Sequence, residues 1–138
     1  MKLKLLPWVS FHHDIHLMIF RPRGILDEAH VEKTVAMLDR LEKDADKPFD
    51  RFNDLSKIDA VDLSFDFIFH ISLHRRLTYA KFPPVKSAFL ATSPATARIT
   101  KTHIMLTDFS PLRVKMFKQI DAAAKWLEHS VEELEMGA

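Results

Sequence analysis

Residues 50–80, DRFNDLSKIDAVDLSFDFIFHISLHRRLTYA, decide the fold class. Asp50 to Leu55 is a short strand, Ser56 to Asp62 an Asp-rich loop, and Leu63 to Ala80 a helix. On that helix Phe65, Phe69, Leu73 and Leu77 form one apolar stripe and Phe67 and Ile71 a second, with Asp66, His70 and His74 between them. A strand that feeds through a loop into a long helix is half of a crossover unit, so the rest of the chain is read for the other halves.

Towards the N-terminus, Lys2-Leu3-Lys4-Leu5 alternates with period two, and Asp14 to Phe20 puts Ile15, Leu17 and Ile19 on one face. The two predict an opening hairpin. From Leu26 to about Asp44, Val31, Val35, Leu38 and Leu41 or Glu42 recur at helical spacing, with acids early and Lys43 late, as the helix dipole favours. Towards the C-terminus, Pro83-Pro84 end the Phe-rich helix, and Val85 to Ala91 suits a strand covered on both faces. Ser93-Pro94 supply a cap and a first helical residue for a helix from Ala95 to about Thr107. Leu112 to Met116 alternates as a last strand, and Ile120, Ala123, Ala124, Leu127, Val131 and Leu134 mark a terminal amphipathic helix. The order is β-β-α-β-α-β-α-β-α. It predicts one α/β domain over residues 1–138, a mixed sheet of about five strands with about four helices and right-handed crossovers.

Composition narrows function. The 138 residues, 47% hydrophobic and 28% charged, can carry one core without staples. Twenty Lys and Arg against nineteen Asp and Glu leave +1, so no net field draws nucleic acid, acidic lipid or a charged substrate from a distance. Without cysteine there is no disulfide, thiolate zinc site or cysteine nucleophile. Two glycines, Gly24 before a helix and Gly137 in the tail, cannot write a dinucleotide fingerprint or a phosphate loop, and no cofactor is expected. His12, His13 and Asp14 interrupt the short apolar start where a secretory segment would continue, so a cytoplasmic protein is expected. No window reaches the roughly 20 apolar residues of a spanning helix, and any membrane contact would be peripheral.

Asp54-Leu55-Ser56-Lys57-Ile58-Asp59-Ala60-Val61-Asp62-Leu63-Ser64 resembles the strand-loop-helix segment of the STAS superfamily, typified by the SpoIIAA anti-sigma-factor antagonists, with the pattern D-L-S-G-V-x-F-I-D-S-S-G. Met116 to Leu127, with Phe117, Ala123, Trp126 and Leu127, is similar to the F-x-x-x-x-x-A-x-x-W-L close of SpoIIAA-like bacterial proteins. With the element order, the resemblance spans nearly the whole chain. It implies a STAS-like domain of bacterial type acting as a binding or regulatory module. It also places Ser64 where antagonists are phosphorylated, while Leu63 and Phe65 stand where the pattern has Ser and Gly. A phosphate there would meet free backbone N–H groups and the positive end of the helix dipole; Asp62 or Ser64 as a plain helix cap is the simpler role.

Two further groups are site-like. Asp66, His70 and His74 line one helical face as alternative metal ligands or the basis of an enzyme, but Arg75 and Arg76 follow and oppose a cation, so a solvent face is preferred. Paired carboxylates such as Asp59 and Asp62 suit turn chemistry, and no serine has the elbow of a hydrolase, so no catalytic residue and no enzyme activity are expected. The phenylalanines on two sides of one helix leave more apolar surface than one sheet face can cover. Recognition of a protein partner or an apolar, lipid-like ligand by the helices after the third and fourth strands is therefore expected, at Asp62, Ser64, Phe65, Phe67, Phe69, Met105 and Phe109. The SpoIIAA-like resemblance implies the same. Self-association through that patch into a homodimer is the related expectation.

Overall fold

The computed structural model of the chain describes residues 2–136, and Gly137, expected in the tail, lies outside them. The elements are β1 (Lys2–Leu6), β2 (Val9–His12), β3 (Leu17–Phe20), β4 (Gly24–Asp27), α1 (Glu28–Asp44), β5 (Asp50–Asp54), β6 (Ile58–Asp62), α2 (Phe65–Tyr79), β7 (Val85–Leu90), α3 (Pro94–Thr107), β8 (Leu112–Phe117), α4 (Ile120–Leu127) and α5 (Val131–Glu135). The main sheet has six strands in the order β1-β2-β3-β5-β7-β8, and β4 and β6 form a second, two-stranded sheet. β1, β2 and β3 pair antiparallel; β3, β5, β7 and β8 are all parallel.

Each parallel crossover advances one strand in the same direction, and constant handedness then places α1, α2 and α3 together on one face. The chain leaves β8 for the opposite face, where α4 and α5 pack Ala123, Leu127 and Leu134 on Leu17, Ile19, Phe52, Ala88 and Leu90. Alternation along β3 explains the two layers: Leu17 and Ile19 face α4 and α5, whereas Met18 and Phe20 join Val9, Phe11 and Leu26 beneath α1. Among the described residues no helix is long and apolar enough to cross a membrane.

The α/β class and the relative order of the expected elements agree with the sequence, but further elements lie between them and the counts are corrected, from about five strands and four helices to eight and five among the described residues. The opening hairpin has a further strand between its arms, β2, whose buried Ser10 and His12 satisfy each other at 3.1 Å. A polar pair within one strand disguises that strand as a turn. Within the segment read as a loop, residues 58–62 form β6, because β4 offers an edge on which Ile25 pairs Ala60 and Leu26 pairs Val61. The terminal helix breaks at Glu128 (φ 63°), where the backbone turns left-handed, and Ser130 and Glu133 open α5 with a reciprocal capping box.

Arg21 closes the fold from N- to C-terminus. Its Nε donates to Asp54 Oδ2 at 3.0 Å, and the guanidinium also donates to the carbonyls of Leu134 and Met136. Both charged side chains are buried. Arg21→Met is expected to cost about 3–5 kcal/mol in urea denaturation, because the Asp54 carboxylate is left buried without its cation, and Arg21→Met/Asp54→Asn to recover most of that loss.

Candidate functional site

The parallel register lines up Met18, Arg51 and Ser87 across β3, β5 and β7, and then Phe20, Asn53 and Phe89, on the face beneath α1, α2 and α3. Central parallel strands are normally apolar on both faces, so three polar side chains here must find partners or cost stability. Asn53 Nδ2 donates to Ser87 Oγ and to the Ala88 carbonyl, both at 3.0 Å. The Arg51 guanidinium is clasped between the rings of Phe49 and Tyr79, 4.5 and 4.8 Å from their centroids, and Nη2 donates to Glu42 Oε2 at 2.5 Å.

Glu42 is shared. Arg75 of α2 donates to both of its oxygens, and Arg75 Nη1 also reaches Asp39 Oδ1 at 2.9 Å. The other Asp39 oxygen lies 2.9 Å from His74 Nε2, so the chain of charges runs from the sheet through α1 to the surface of α2. Two buried arginines thus divide one buried carboxylate, and Arg51 Nε and Nη1 have no hydrogen-bond partner. Burial, opposed by Glu42 and aided by the Arg75 charge, lowers the Arg51 pKa to about 10. The guanidinium still stays charged at neutral pH.

Above this floor lies a cavity of about 110 Å³ between the sheet and the three helices. Phe20, Val35, Leu38, Ile68 and Ile99 are among its apolar walls, and Arg51, Asn53, Ser87, Ser72, Arg75 and His103 supply most of its polar lining. Ser72 Oγ and His103 Nδ1 join α2 to α3 at 2.8 Å. Burial first, then the Arg75 charge, brings His103 down to about 4, so the imidazole is neutral. The pair lacks the layout of a nucleophilic dyad. Ser72 stands inside a helix whose backbone N–H groups are already spent, and a base of such low pKa takes a serine proton poorly.

The residues expected from sequence do not converge. Ser64 is the N-cap of α2 and accepts from the Phe67 N–H at 3.1 Å, the capping role, while Asp62 ends β6 in an exposed position. Phe65 and Phe69 lie on the outer side of α2, 64% and 37% exposed, and Phe67 is half-buried in a groove against α1. Met105 and Phe109 are 70% and 96% exposed, at and just beyond the last turn of α3. Ser72 meets His103 and Arg76 meets the carbonyls of Leu106 and Asp108, so α2 and α3 run parallel and Phe65 and Phe109 sit at opposite ends. Of the metal alternative, His70 Nδ1 lies 2.7 Å from its own helix's Asp66 carbonyl and His74 turns to Asp39. Among the described residues no three His, Asp or Glu side chains are grouped to hold a metal ion.

Sequence reading missed Glu42, Arg51, Asn53, Ser72, Arg75, Ser87 and His103. The signal was present in Asp50-Arg51-Phe52-Asn53-Asp54, whose alternation suits a solvated edge but which lies between two parallel neighbours. Neutral, half-buried His103 carries a pH signature. The unfolded chain binds its proton below about 6.5 and the folded chain only near 4, so stability falls as the pH drops through that window, by about 3 kcal/mol in all. His103→Gln is expected to flatten the slope of unfolding free energy between pH 6.5 and 4, measured by urea titration at several pH values.

No protein-family model matches the chain, and no curated protein does. Among solved structures it is similar to an uncharacterized protein of the DUF3478 family with a SpoIIAA-like fold from Shewanella loihica PV-4, at 20% identity and a TM-score of 0.55, over 86% of this chain and 90% of that one. Six strands with α1 to α3 on one face and α4 and α5 on the other are thus this chain's version of the SpoIIAA-like fold.

Proposed function

We propose that the protein is a non-enzymatic binding module of STAS type that takes a small apolar ligand beneath α2 and α3. The cavity of about 110 Å³ carries this reading. An apolar cavity of roughly 150 Å³ accepts a benzene-sized molecule, so this smaller space suits a species below that size, such as xenon, and a ring or longer chain requires α2 to move. Ser72, Asn53 and Ser87 give such a ligand a few fixed polar neighbours within apolar walls. In this reading Ser64 keeps its capping role, and Asp66, His70 and His74 are surface groups. The ligand's presence would be read by a cytoplasmic protein partner.

The exposed Phe65, Phe69, Leu77 and Met105 support a second reading, in which that partner docks on the outer side of the same two helices. Cavity and ridge are then two sides of one layer. Ligand beneath α2 and partner above it would be coupled through the helix.

Xenon is the probe matched to the space. It is expected to raise the melting temperature of the protein and to shift the NMR signals of Ile68 and Ile99. Ile99→Phe, which fills the cavity, should weaken xenon binding about tenfold or more at a stability cost of about 1–3 kcal/mol. Phe65→Ser/Phe69→Ser, outside the cavity, should leave it unchanged. No xenon binding to the wild-type protein, or Ile99→Phe binding xenon as well as wild type, would overturn the reading.

A further inference from the structure

The sheet ends at β8, which pairs with β7 on one side and with no strand on the other among the described residues. Two bonds fix its phase: Val85 N–H donates to the Pro111 carbonyl at 3.0 Å and Ala91 N–H to the Phe117 carbonyl at 2.9 Å. In a parallel pair alternate residues bond the neighbour, so Arg113, Lys115 and Phe117 turn their backbone groups inward. Leu112, Val114 and Met116 turn theirs outward. The Leu112 carbonyl accepts from Ser110 Oγ at 3.2 Å, which leaves Val114 and Met116 as the open rungs.

A groove of about 510 Å³ runs beside this edge, bounded by Thr107, Phe109, Ser110, Val114, Lys115 and Trp126. Phe109 is 96% exposed and left-handed at φ 62°, a conformation that L-residues with bulky side chains seldom adopt. The turn holds it there: Phe109 N–H donates to Asp108 Oδ1, and Arg76 Nη1 donates to the Asp108 carbonyl. Arg113, Lys115 and Lys118 are exposed within six residues, and none is in an ion pair among the described residues. Lys115 lies back over the rings of Phe117 and Trp126, at 5.5 and 5.9 Å, on the α4 side. The charge is therefore beside the edge and not across it.

We propose that β8 accepts, by strand addition, an extended acidic segment of a partner protein. Its backbone would pair with Val114 and Met116; its acidic side chains would stand opposite Arg113 and Lys115, and its alternate apolar side chains would meet Val114 and Phe109. A second β8 is a poor occupant, because it would set Arg113 and Lys115 against like charges. The site lies outside the ligand cavity and does not depend on it.

The probe is a ten-residue peptide alternating Glu and Val, compared by fluorescence anisotropy with its Lys-Val counterpart. The acidic peptide is expected to bind about tenfold or more tightly, and to slow hydrogen exchange at the Val114 and Met116 amides. Arg113→Glu/Lys115→Glu should reverse the preference. N-methylation of alternate peptide residues should abolish binding without touching the protein, so the test survives a variant that folds badly. Equal binding of the two peptides, binding without protection at Val114 and Met116, or a homodimer that Val114→Pro dissociates would each overturn the proposal.

Discussion

Glu42 is the residue on which the helical layer depends. Its carboxylate is buried and receives Arg51 from the sheet and Arg75 from α2, so α1, the sheet floor and α2 meet at one charge. Desolvating these groups is expensive, and the arrangement holds because every Glu42 oxygen has a donor and Arg75 has a second acceptor in Asp39. A hydrophobic trio of similar volume could pack as stably, but it would not fix the register of α2 against α1 so narrowly. What the charges specify is therefore the height and rotation of the roof over the cavity.

That explains how an α2 with apolar stripes on several sides takes one orientation. Apolar packing alone could seat Phe65, Phe67 or Phe69 inward with little difference in burial. Arg75 must face Glu42 and Ser72 must face His103, and these two polar contacts, one turn apart, select Ile68 and Ser72 for the interior and leave Phe65, Phe69 and Leu77 outside. The polar residues set the geometry, and the apolar surplus goes to the surface.

The contrast shows what was legible in the chain. Periodicity located α1, α2, α3 and the strands of the parallel sheet to within a few residues, because apolar spacing reports burial directly. The surplus on α2 was legible for the same reason. β2, β6 and the polar floor were not: Ser10 and His12 are polar residues that pair within one buried strand, and Arg51 is buried only because Glu42 reaches it from α1. Sequence spacing carries no trace of a partner nine residues or a whole helix away. Met105 and Phe109, grouped with Phe65 in the expected binding face, are exposed but sit at the other end of the parallel pair of α2 and α3.

The small sheet of β4 and β6 has a mechanical meaning. β4 ends at Asp27, whose side chain caps α1, and β6 ends at Asp62, two residues before the cap of α2; Asp27 and Asp62 are paired rungs. Both helices thus spring from one two-stranded hinge plate, with a carboxylate near each positive helix end. Because Glu42, Asp39 and Arg75 also bind the helices to each other further along, α1 and α2 form a closed frame, fixed at two points. A force applied to the outside of α2 is then not absorbed by that helix alone. It is carried around the frame into α1 and, through Arg51, into the centre of the sheet.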